Sequence, residues 1–126
     1  MENGESFQRA HERLDVWQDA MALVEHVYAV TTGFPLEERF GLTAQIRRAA
    51  ISIPSNIAEG AARRSGPEYQ RFLSIARGSL SEMSTQLQIA RRLASMDASP
   101  AIDDLIDRVF ARLTALMNAL QRRGQS

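Results

Sequence analysis

Apolar residues return every three or four positions along four separate stretches of the chain, the spacing that places them on one side of a helix. In the first stretch the stripe is Val16, Ala20, Leu23, Val24 and Val27. Asp15 stands where an N-cap is wanted, and Gly33 and Pro35 end the pattern just after Thr31. The second stretch starts at Leu42 or Thr43 and runs through Glu59. At about 100° per residue, Leu42, Ile46, Ala50, Ile53 and Ile57 fall within about 80° of one another. Pro54 lies inside this stripe, which stays in phase beyond it, so a kink near Pro54 is expected rather than a break.

The third stretch has the clearest start. Ser65 and Glu68 have capping-box spacing, and Pro67 sits in the first turn, where a missing N–H costs little. Tyr69, Phe72, Leu73, Ala76, Leu80, Met83, Leu87, Ala90 and Ala94 then extend a heptad-like stripe toward Met96, a helix of roughly 45 Å. The fourth opens with Ser99 as cap, Pro100 in first position, and Asp103 and Asp104 beside the positive end of the dipole. Its apolar face is Ile102, Leu105, Ile106, Val109, Leu113, Leu116 and Leu120, and Arg122 and Arg123 close it before Gly124. Short connections make sequential helices antiparallel. The expected fold is all-α, an antiparallel up-down-up-down four-helix bundle over residues 14–123, with a polar arm at 1–13 and a tail at 124–126.

Two patterns exceed what a bundle requires. On the second helix, Gln45, Ala49, Ser52, Asn56, Glu59 and Arg63 form a polar track beside the apolar stripe, within about 80° of one another. Such a track is either a hydrogen-bonding surface for a partner or a solvated flank. On the third, Ser74, Gly78, Ser81 and Thr85 make a strip of small side chains. Gly78 costs about 1 kcal/mol relative to alanine in a helix interior, which close approach by another helix would offset. That helix belongs either to the same bundle or to another subunit.

Composition narrows the classes. A chain of 126 residues suits one domain, and 44% hydrophobic residues with only 6% aromatic suits closely packed helices better than a sheet. Without cysteine, disulfides and thiolate zinc sites are excluded. No apolar run approaches a membrane span, and the start MENGESFQRAHERL is too polar for a signal peptide. The chain is therefore expected to be soluble, unprocessed and cytoplasmic.

Fifteen acids balance fifteen basic residues, and every basic residue is arginine. Arginine usage fits either bidentate recognition of phosphate and carboxylate or a genome whose codons favour it. The charges are unevenly placed. Residues 1–40 carry eight acids and three arginines, whereas residues 41–96 carry eight arginines and three acids. The basic middle is expected to pair with the acidic start, within or between chains. Its pairs Arg47–Arg48, Arg63–Arg64 and Arg91–Arg92 are also candidates for contacts with RNA or DNA phosphates, although no aromatics are interleaved with them for stacking.

Catalytic and metal-binding patterns are poor. His11 and His26 lie far apart, nothing near either has ligand spacing, and the Glu-x-x-His motif of di-iron bundles is absent. Asn56 and Glu59 make a polar pair with no nucleophile and base beside them, and Gly60 and Gly66 read as boundary residues rather than a phosphate loop. No catalytic, metal or cofactor site is expected.

The segments LDVWQDAMALVEHVYAVTTGFP (14–35), FGLTAQIRRAAISIPSNIAEGAAR (40–63) and YQRFLSIARGSLSEMSTQLQIARRL (69–93) resemble the bacterial four-helix-bundle family associated with intervening sequences in 23S rRNA genes. The resemblance covers Leu14 to Leu93, while the last helix matches only in character. It implies a four-helix bundle and a homopentamer, since the family and the related accessory variability determinant of diversity-generating retroelements form five-fold rings. The genomic association does not make the product a ribosomal protein. The retroelement relative looks like a basic, nucleic-acid-binding partner of a reverse transcriptase, and this chain departs from it in being neutral. The resulting expectation is a non-enzymatic homo-oligomeric scaffold or interaction protein that binds no membrane. Its interface candidates are Gln45, Ser52, Asn56, Glu59, Ser74, Gly78, Ser81 and Thr85. An RNA-binding protein using Arg47, Arg48, Arg63, Arg64, Arg91 and Arg92 is the alternative.

Overall fold

The computed structural model describes residues 9–125, the last by its backbone alone. Four long helices dominate: α1 (Asp15–Thr31), α2 (Leu42–Ala61), α3 (Gly66–Arg92) and α4 (Pro100–Gln125), with short 3-10 turns at Ala10–Arg13 and Leu36–Glu38. No strand occurs among the described residues. Each helix packs against two others in ring order, α1 on α2, α2 on α3, α3 on α4 and α4 on α1, while the diagonal pairs stay apart. No described helix is long and apolar enough to cross a membrane.

The stripes seen in the sequence meet in the middle of the ring. Leu23 and Val27 of α1, Ile46, Ile53 and Ile57 of α2, Leu80, Met83 and Leu87 of α3, and Ile102, Val109 and Leu113 of α4 are fully buried. Burying side chains of this size contributes about 1.5–3 kcal/mol each, the main force holding the ring. Phe34, just past α1, joins the same core from the connection.

The ends of the helices show where local chemistry departs from the expected signals. Asp15 is the first residue of α1 rather than its cap. Leu14 holds that position without a side-chain bond, so Asp15 acts through its charge at the positive dipole end. Leu42 N–H at the start of α2 donates to the Glu38 carboxylate at 3.2 Å. Ser65 caps α3 by accepting from Glu68 N–H at 3.2 Å, but the reciprocal half of a capping box is missing because the Glu68 carboxylate turns to Arg71 at 3.4 Å.

At its far end α3 stops at Arg92, four residues short of Met96. Ala94 takes φ 59°, its N–H donates to the Arg91 carbonyl at 3.1 Å, and Ser95 N–H donates to the Ala90 carbonyl at 2.9 Å. This is a Schellman ending built on alanine instead of glycine. Helix α2 continues through Pro54, whose ring is buried. Helix α4 runs past Gly124.

Candidate interaction surfaces

The polar track of α2 divides in the structure. Ala49 is buried in the core, Gln45 and Glu59 are exposed, and Ser52 and Asn56 are half-buried. The Ser52 and Ser79 hydroxyls share a hydrogen bond of 2.8 Å that ties α2 to α3. Asn56 Nδ2 donates to the Ser52 carbonyl at 2.8 Å and to its hydroxyl at 2.9 Å. Glu59 pairs with Arg63 at 3.0 Å. The middle of the track is thus a knot within one chain, and its outward groups are Gln45 at one end and the Glu59–Arg63 pair at the other.

The small strip behaves differently. Ser74, Gly78, Ser81 and Thr85 are all exposed, and Thr85 satisfies its hydroxyl on the Ser81 carbonyl at 2.9 Å. A Cβ added at Gly78 would meet nothing within 4 Å. Packing inside the chain therefore does not account for this glycine. Exposed apolar side chains flank the strip, Ile75 at 39% and Ile89 at 43% exposure. At about 100° per residue, the polar track of α2 faces the α3 seam while the small strip lies on the far flank of α3, with Ile75 and Ile89 between them.

The glycine that does allow close approach is Gly60. A Cβ there would lie 3.0 Å from the Phe72 Cβ and 3.2 Å from the Tyr69 carbonyl oxygen, so the end of α2 and the start of α3 are packed backbone to backbone. Burial of Tyr69 at this contact raises its pKa above the ordinary 10.0, against an opposing pull from Arg123. A boundary reading of AEGAARRSG missed this, because spacing alone does not say which face of α2 meets α3.

Each of the three arginine pairs has one tied member and one outward member. Arg47 donates through Nε to the Thr31 hydroxyl at 2.8 Å and through Nη2 to the Tyr28 carbonyl at 3.4 Å. Its guanidinium lies 4.3 Å over the Tyr28 ring, where a cation complements the negative end of α1. Arg63 is held by Glu59 and lies 4.7 Å over Phe72. Arg91 meets Asp103 of α4 at 2.7 Å. Arg48, Arg64 and Arg92 are exposed and have no hydrogen bond or ion pair among the described residues. The six do not gather on one chain, since the whole of α3, about 40 Å of helix, separates Arg63–Arg64 from Arg91–Arg92.

Within the chain, the expected pairing of the basic middle with the acids of residues 1–40 is corrected here. Among the described residues, the acid of that segment that forms ion pairs is Asp19, and its partners are Arg108 at 3.5 Å and Arg112 at 2.7 Å on α4. The middle arginines pair with Glu59, Glu68 and Asp103 instead. Local acids one helical turn away, and the facing start of α4, are simply nearer.

A further surface escaped sequence reasoning because it needs two helices to make it. Between α1 and α2 runs a groove made of two adjoining hollows that share Ile51. One, of about 330 Å³, is lined by His11, Trp17, Met21, Val24, Pro54 and Ser55. The other, of about 420 Å³, is lined by Tyr28, Ala44, Arg39, Arg47 and Arg48. His11 stacks edge-on against Trp17 at 4.9 Å. No hydrogen bond joins it to Ser55 among the described residues, so the pair lacks the geometry of a nucleophile and its base. No group of three or more His, Cys, Asp or Glu among the described residues could hold a metal ion.

A four-helix ring with these stripes matches the family of 23S rRNA-intervening sequence proteins over residues 12–115. The chain belongs to that family. The matched span takes in α1, α2 and α3 whole and reaches well into α4. The family consists of helical proteins with no known enzymatic role. Among curated proteins none matches the chain.

Proposed function

We propose that this family member is a non-enzymatic cytoplasmic scaffold that assembles with copies of itself, as a pentamer, through the outer face of α2 and α3. The protomer is an antiparallel up-down-up-down bundle with α2 bent at Pro54. Bonds from Gln70 to the Met117 carbonyl and from Arg91 to Asp103 support that topology, since residue numbers rise along α3 as they fall along α4. One observation carries the assembly: the open strip at Gly78, with isoleucines 75 and 89 exposed beside it. Small residues let helix backbones approach closely, and exposed apolar side chains at their border supply the burial that association requires. Gln45 and the Glu59–Arg63 pair lie at the edge of the same face, where a polar rim is expected.

The test is mass in solution. Light scattering is expected to return about 70 kDa for five copies of a 14.0 kDa chain. Gly78→Arg is expected to lower that mass while leaving the helical circular dichroism signal unchanged. A monomer at micromolar concentration would end the proposal.

RNA binding is the second reading, and the three outward arginines favour it, because copying them around an assembly multiplies phosphate contacts. Binding to a mixed RNA pool is expected to weaken steeply with added salt and with Arg48→Glu, Arg64→Glu or Arg92→Glu. Affinity that ignores salt would exclude it.

A further inference from the structure

We infer that the groove between α1 and α2 is a docking site for an amphipathic helix of a partner protein, with the acidic end of that helix lying against Arg39 and Arg48. This gives the scaffold a client. It also uses a face that the self-assembly reading leaves open, so the two stand or fall separately.

The groove has the form that helix recognition needs. Trp17, Met21, Val24 and Tyr28 follow one another along α1 at intervals of four, three and four residues. Ala44, Ile51 and Ala58 oppose them at intervals of seven on α2. Both rows flank the core, with Trp17 and Val24 packed against its edge. The inner sides of α1 and α2 are committed to the ring, the 3-10 turn at Ala10–Arg13 packs on both helices at the Trp17 end, and among the described residues none from α3 or α4 lines either hollow. Met21, Tyr28 and Ile51 remain 38%, 37% and 44% exposed. From Ala44 to Ala58 the trough spans about 21 Å, four turns of a docked helix whose anchors recur every three or four residues.

Charge selects the partner. No aspartate or glutamate lines either hollow, whereas three arginines stand at the Tyr28 end. Arg47 is consumed by the end of α1, Arg39 lies 4.7 Å over Phe40, and Arg48 has no anionic partner among the described residues. Two guanidinium groups without a carboxylate at the mouth of an apolar trough complement an apolar helix that carries acids at one end. They also repel a basic one. A nucleic acid strand fits less well, since the floor beyond the arginines offers no donor row for phosphates.

The chain supplies its own probe, because Trp17 is its single tryptophan. The full-length protein is titrated with a synthetic sixteen-residue helix bearing leucines at i, i+4, i+7 and i+11 and glutamates at one end. A control peptide carries lysines in place of the glutamates. Trp17 emission is expected to move to the blue with the acidic peptide. Affinity is expected to fall about tenfold or more for the lysine peptide and for Arg48→Glu, and to weaken with salt. Ile51→Asp is expected to abolish the shift with the circular dichroism and the scattering mass unchanged. Should that variant misfold, Arg48→Glu, at an exposed position, carries the test alone.

The inference is overturned by equal affinity for the two peptides, or by the absence of any shift in Trp17. It is also overturned by emission that changes on dilution of the protein without peptide, which would assign the groove to a second copy. A monomer that still binds the acidic peptide would sink self-assembly and leave the groove intact.

Discussion

Gly60 of α2 presses on Tyr69 of α3 so closely that a Cβ on the glycine would sit 3.0 Å from the tyrosine ring and 3.2 Å from its carbonyl oxygen. The carbonyl belongs to the first turn of α3 and cannot swing aside as a side-chain tip could. Gly60→Ala is therefore expected to destabilise the fold by about 1–2 kcal/mol, the overpacking cost exceeding alanine's helical advantage. Gly78→Ala, on an open face, is expected to gain up to about 1 kcal/mol. Urea midpoints at protein concentrations too low for assembly make the comparison. A loss at Gly78 equal to that at Gly60 would mean that its face is packed within the chain.

Ala94 carries the left-handed turn that ends α3, at φ 59°. A Cβ in that conformation costs about 1–2 kcal/mol, which glycine avoids. Ala94→Gly is expected to raise stability by about 0.5–1 kcal/mol, less than the full cost because glycine also loosens the unfolded chain. Thermal melting checks the direction. No gain would mean that the strain is relieved elsewhere in the turn.

That ending also shows what the amino-acid pattern could and could not say. The stripes of the four helices were legible because burial imposes a 3.6-residue rhythm, and residues such as Leu23, Ile53, Leu80 and Val109 lie in the core where that rhythm puts them. The stop at Arg92 was not legible, since helix ends are read from glycine and Ala94 gives no such signal. Helical spacing placed Ser52 and Asn56 beside the core, yet it could not show that Ser79 would meet Ser52. The groove was hidden for a similar reason. Val24 packs against the core as its stripe predicts and also lines the groove, while Trp17, Met21 and Ile51 fall outside both stripes, and they form a surface only when α1 lies on α2.

Asp19 receives two arginines from one face of α4, Arg112 at 2.7 Å and Arg108 at 3.5 Å. Its side chain is only 13% exposed, so these contacts are screened by water less than those of a surface pair. Asp19→Ala is expected to cost about 1 kcal/mol, and Arg112→Ala more than Arg108→Ala in keeping with the two distances. A double-mutant cycle between Asp19 and Arg112 measures the coupling. Strictly additive losses would deny that the pair contributes.

Tyr69 links the close α2–α3 contact to pH. Burial raises its pKa above 10.0, and the nearby Arg123 opposes part of that rise. Below the unfolded value the hydroxyl is neutral in both states, and the contribution of Tyr69 to stability is fully present. As pH climbs past it, the unfolded chain ionises first, so that contribution is lost progressively until the folded pKa is passed. The wild-type chain is expected to lose stability as pH rises past the unfolded value of 10.0, more steeply than Tyr69→Phe, which cannot ionise. Neutralising the cation by Arg123→Gln is expected to push the Tyr69 titration still higher, since it removes the group that favours phenolate. Denaturation midpoints across that range, with phenolate absorbance followed in parallel, distinguish these effects. An identical alkaline slope with and without the Tyr69 hydroxyl would show that its burial is too shallow to matter.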